Sequence, residues 1–119
     1  MIEAPLVRGA FENVSHRLQS ALMEIRQTEV FSRWLHRLKD PRARARVLVR
    51  IRRLSLGHPG DIRPVGGGIS ELRVDHGPGY RIYLTQVGQE VVLLLAGGDK
   101  RTQQRDIAEA KKLASDLGS

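Results

Sequence analysis

Residues 69–100 read ISELRVDHGPGYRIYLTQVGQEVVLLLAGGDK, three β-favouring runs separated by glycine-marked turns. In the first run, Ile69–Val74, alternation points Leu72 and Val74 inward with Ser70, and Glu71, Arg73 and Asp75 outward together. Ile69 joins the Leu72 face only through a bulge. Gly77-Pro78-Gly79 forms a turn, Tyr80–Thr85 the next strand, and Gly88 marks a second hairpin. Val91–Ala96 is continuously apolar and reads as the most buried strand; Gly97-Gly98-Asp99-Lys100 then leaves the sheet. Strands joined by such short turns pair antiparallel.

That pairing has a chemical consequence. It folds Arg81 back beside Arg73 and brings Lys100 and Arg101 out at the adjacent sheet end. Like charges placed together repel, so the cluster implies either a bound anion or neutralisation by nearby acids, Glu71 and Asp75 being the candidates. Of the scarce aromatics, Trp34 reads as core, and one of Tyr80 and Tyr83 is free to stack on a base.

Upstream, Thr28 is a plausible N-cap, and Val30, Phe31, Trp34, Leu35 and Leu38 form one helical stripe. Lys39-Asp40-Pro41 breaks that helix. Asp40 as N-cap and Pro41 at the first helical position open another, with Ala43, Val47, Ile51 and Leu54 inward and Gly57 at its end. Residues 29–56 thus read as a helical hairpin, preceded by a strand-like Met23–Arg26. Downstream, Thr102 or Asp99 caps a helix carrying Ile107, Ala110, Leu113, Ala114 and Leu117. The expectation is an α+β fold: a helical hairpin packed on a 3-4 stranded antiparallel sheet with a C-terminal helix.

The 119 residues suit one domain, and 40% hydrophobic content supplies a core. We divide the chain into a 23–119 domain and a 1–22 extension, in which Phe11, Val14, Leu18 and Leu22 have helical spacing. Without cysteine there is no disulfide scaffold, thiolate zinc site or cysteine nucleophile, which fits a reducing cytoplasm. No apolar run spans a membrane, and no signal peptide is apparent. The four histidines have no zinc-protease spacing, Gly66-Gly67-Gly68 lacks a phosphate-loop context, and Ser55 and Ser70 lack a base pattern. No metal or cofactor is expected.

The net charge is +7, with 16 Arg and four Lys. Ten basic residues against two acidic ones between Arg26 and Arg53 make that stretch +8, while residues 1–22 are neutral. Such a block implies an anionic partner, nucleic acid first and an acidic protein second, or a solvated basic surface.

Taken together, Gly60–Gly68, Glu71-Leu72-Arg73, Gly77–Tyr83, Leu94–Lys100, Gln103 and Asp106-Ile107 resemble the RelE/ParE toxin superfamily, most closely its HigB-like, phage-associated addiction-module killer branch. Phe31, Trp34, Leu35 and Lys39-Asp40 fit the same branch, and the resemblance covers residues 23–115. It implies a microbial-ribonuclease-like fold and the toxin half of a type II toxin–antitoxin pair. It further implies ribosome-dependent mRNA cleavage by attack of the ribose 2′-hydroxyl on the adjacent phosphate. That reaction needs no metal; it needs cations around the phosphate, a proton acceptor and a proton donor. By resemblance the catalytic residues are Arg73, Arg81, Lys100 and Asp99. Arg42, Arg46, Arg50, Arg53, Arg101 and Tyr80 would contact RNA or the ribosome. The implied partners are a cognate antitoxin, a small helix-turn-helix protein, and the ribosome with its mRNA, in the cytoplasm and away from membranes. One departure stands out: Thr102–Ile107 has neither the Tyr nor the His that many ribonuclease members place there, which leaves Lys100, Asp99 or His76 to move protons. A gyrase-inhibiting toxin of the same fold, and a plain basic binding module, are the alternatives.

Overall fold

One sheet carries helices on both of its faces. The computed structural model describes residues 2–3 and 22–118. In chain order these are β1 (Ile2–Glu3), β2 (Glu24–Gln27), α1 (Glu29–Arg37), α2 (Pro41–Ser55), β3 (Ile62–Gly66), β4 (Ile69–Val74), β5 (Tyr80–Val87), β6 (Val91–Asp99), a 3₁₀ turn (Lys100–Thr102) and α3 (Gln103–Gly118). The helix expected from Phe11, Val14 and Leu18 rests on residues 4–21, which lie outside the described ones.

The spatial order is β1-β2-β6-β5-β4-β3. β3 to β6 form the antiparallel meander expected from the turns. The sheet extends further than that expectation, because β2 pairs with β6 in parallel and β1 adds to β2. A parallel pair needs a long connection; here α1, α2 and the meander supply it.

The hairpin ends where its caps dictate. The Thr28 hydroxyl accepts from the Phe31 N–H at 3.0 Å and donates to the Leu95 carbonyl at 2.6 Å, starting α1 and pinning it to β6. The Asp40 carboxylate accepts from the Arg42 N–H at 2.9 Å, with Pro41 opening α2. Phe31, Val47 and Leu54 then pack on Leu72, Val74, Ile82, Leu84, Val92 and Leu94. Each such side chain contributes on the order of 1.5–3 kcal/mol by leaving water. The other sheet face is covered by α3, where Ala110, Ile107, Leu113 and Ala114 meet Ile69, Tyr83 and Leu95.

β6 contains a bulge. Tyr83 pairs with Ala96 and Leu84 with Leu94, which leaves Leu95 without a partner on β5. Beyond it the alternation inverts, so Gly97 meets Trp34 on the hairpin side and Gly98 meets Asp106 and Thr102 on the α3 side. A methyl group at Gly97 would lie 2.2 Å from the Trp34 ring.

Candidate functional site

On the α3 side of the sheet, β4 and β5 bring Arg73 and Arg81 directly opposite each other. Two pairs further along, on the same face, Glu71 lies opposite Tyr83. Alternation alone sent Glu71 outward to solvent. The structure corrects this: Glu71 is fully buried, because both faces of the sheet are covered and the α3 face closes over it.

The Glu71 carboxylate is fully engaged. Its Oε1 accepts from Arg73 Nε at 3.2 Å; its Oε2 accepts from the Tyr83 hydroxyl at 2.9 Å and the Gln103 amide at 2.7 Å. Arg81 Nε stands 3.8 Å from Oε2 and is buried without a hydrogen bond. Burial alone would raise the Glu71 pKa. The bonds from Gln103, Tyr83 and Arg73, with the Arg81 charge, outweigh burial and hold it below the usual carboxylate value. Burial, followed by the bond to Glu71, pushes the Tyr83 phenol well above its usual value, so Tyr83 stays protonated. It is a buried donor to Glu71 and presents no ring to a base.

The sequence reading missed Arg63. It pairs with Glu71 across β3 and β4, on the same face, and is exposed. Pro64 and Gly66–Gly68 made this segment read as a connection; the pattern Ile62-Arg63 before them is too short to signal a strand.

The other expected site residues separate from this face. Asp99 lies opposite Tyr80, which packs on the hairpin side. There the rings of Trp34 and Tyr80 meet edge-on with centroids 6.3 Å apart, and His76 stacks on Tyr80 at 6.5 Å. His76 Nε2 lies 3.2 Å from Asp40 Oδ2, and that contact is the main cause of a lowered Asp40 pKa. Asp99 accepts from the Arg101 N–H at 2.8 Å and from its guanidinium at 3.1 Å. The Arg101 side chain is the main cause that holds the Asp99 carboxyl below its usual value. Lys100 is exposed at the rim between the two faces, beside the Gly79 turn.

On α2, Arg42, Arg46 and Arg53 are exposed, and Arg46 and Arg53 line a groove of about 450 Å³ with Val49 and Asp75. Arg50 is spent differently. It donates to the Arg73 carbonyl, to the Pro59 carbonyl at 2.8 Å and to the Asp61 carbonyl at 3.5 Å, fixing the loop before β3 against β4. Among the described residues no cluster of three or more His, Asp or Glu could hold a metal, and no helix is long and apolar enough to cross a membrane.

Residues 33–116 match a family model described as Phage derived protein Gp49-like (DUF891). The chain is 50% identical over 96 residues to an uncharacterized protein of Haemophilus influenzae, covering 81% of this chain and 97% of that protein. No solved structure matches it.

Proposed function

The chain belongs to the Gp49-like family of phage-derived proteins, a family associated with RelE-like addiction-module toxins, and from there we propose that it is the toxin of a type II toxin–antitoxin pair, of the HigB-like kind, that cleaves mRNA in the translating ribosome. The observation that carries this reading is the Arg73–Arg81 pair, side by side on one sheet face with exposed Lys100 at its rim.

In this reading the ribose 2′-oxygen attacks the adjacent phosphorus and forms a new P–O bond. The bond to the 5′-oxygen breaks, and that oxygen takes up a proton. Charge builds on the phosphoryl oxygens, where Arg73 and Arg81 meet it with planar N–H forks. Lys100 supplies the proton for the leaving oxygen. Asp99 and His76 lie on the hairpin side of the rim that Lys100 occupies, so as the two candidate acceptors they take the 2′-hydroxyl proton only from a ribose that reaches over that rim. Tyr83 is neither donor nor acceptor in the reaction, because it is buried and bonded to Glu71. Exposed Arg42, Arg46 and Arg53 dock on ribosomal RNA, with Arg101 and Tyr80 as lesser contacts. An antitoxin with an acidic segment is the natural neutralising partner.

Cleavage mapping on translated mRNA tests this. Arg73→Ala and Lys100→Ala should each lose on the order of 10²–10³ in rate. Full-rate cleavage by both overturns the site. Asp99→Asn and His76→Gln, run beside them, identify the acceptor by which one abolishes cleavage.

One observation favours a second reading. Residues 102–107 hold no Tyr or His, and the nearest phenol on this face is the protonated Tyr83. A toxin that blocks DNA gyrase needs no such group. Gyrase-dependent DNA breaks with intact mRNA would select it, and absence of growth arrest would leave a basic binding module.

A further inference from the structure

We propose that Glu71 is a positioning residue: its carboxylate holds Arg73 and Arg81 by their Nε edges and so turns the terminal nitrogens of both toward one phosphate. The proposal rests on the phosphate-binding reading above.

Neutralisation alone does not account for this carboxylate. An acid at the exposed edge of the face would offset the same charge without leaving water, whereas Asp75, the other acid of this segment, lines the α2 groove with Arg46 and Arg53. Glu71 is instead fully buried, a position unfavourable for an ion unless hydrogen bonds replace the lost water. Those bonds come from three different elements. Arg73 is on β4 itself, Tyr83 on β5, and Gln103 opens α3. A group fixed from three directions sets the position of whatever it touches.

What it touches is specific. Arg73 binds through Nε, the side edge of the guanidinium, at 3.2 Å. Arg81 also turns its Nε to Glu71, at 3.8 Å, with no hydrogen bond from that atom. Engagement at Nε leaves the end of each fork, the Nη1 and Nη2 pair, for end-on bidentate contact with phosphate oxygens. Without the intervening carboxylate, two guanidinium groups on directly opposed residues would swing apart.

The test uses the full chain on ribosomes, with Glu71→Gln and Tyr83→Phe. Single-turnover cleavage gives the rate, and an mRNA blocked by a 2′-O-methyl group at the cleavage site gives the Kd. Glu71→Gln should lower the rate on the order of 10²-fold, the cost of misplaced groups, while Kd stays level or tightens. Tyr83→Phe removes one hydroxyl from Glu71 and should lower the rate less, again without weakening Kd. Unchanged rates in both variants overturn the proposal, as does a Kd that weakens as far as the rate falls. If Glu71→Gln does not fold, Tyr83→Phe decides. Arg73→Ala and Arg81→Ala run in parallel. Full activity in these defeats the phosphate site itself, whereas their failure beside active Glu71→Gln and Tyr83→Phe defeats only the role of Glu71.

Discussion

Gly98 has no room for a methyl group. A Cβ there would sit 1.8 Å from Asp106 Oδ2 and 2.8 Å from Thr102 Oγ1. Both atoms are tied to each other and to the turn that launches α3. Gly98→Ala should therefore destabilise the fold by about 1–3 kcal/mol, the usual cost of overpacking, seen as a lower urea midpoint. At this scale the sequence was partly legible. The Gly77-Pro78-Gly79 turn sets the register, so Arg73 and Arg81 could be placed as neighbours. Glu71 could not. Alternation tells which residues share a face, and says nothing about whether a second layer covers that face.

The helical hairpin was the most readable element, because caps are local chemistry. Thr28 and Asp40 stand where Thr and Asp serve as N-caps, and each accepts the expected backbone N–H. Thr28 does more, since its hydroxyl also donates to β6. Thr28→Ala should cost about 1–2 kcal/mol in chemical denaturation, and Thr28→Ser should recover most of it. β6 was the least readable element. Nothing in Val91–Ala96 marks Leu95 as a bulge, since every residue of the run is apolar and any of them could be the extra one. The bulge inverts the faces beyond it. That is why Asp99, expected beside Arg73 and Arg81, ends opposite Tyr80 on the hairpin side.

For the molecule as a whole, basic residues occupy two opposite sides. Arg42, Arg46 and Arg53 lie on the hairpin, while Arg63, Arg73 and Arg81 lie on the α3 side of the sheet. Arg63 extends the second row toward the sheet edge, and under the proposed function it meets a flanking phosphate of the RNA strand. Arg63→Gln should lower the slope of log Kd against log salt for single-stranded RNA by about 0.7, the value for one phosphate contact. An equal slope in wild type and variant would remove Arg63 from the interface. Acid should act on stability through Glu71. Its folded pKa lies below the ordinary 4.5, so its contribution is complete above that value. The contribution fades as pH falls through the depressed folded value. Circular dichroism against pH should show acid unfolding below about pH 4.5, with a shallower slope in that window for Glu71→Gln.

The strand order has a consequence in time as well as in space. β6 lies between β2 and β5, yet it is the last strand to be synthesised. β2 can pair with nothing in the meander until Val91–Leu94 exist, and Glu71 lacks its α3 partner until Gln103 does. Long-range pairings of this kind form late. A growing chain that has made every arginine of the sheet face still has no assembled face, and that face is completed only when nearly all of the domain has emerged.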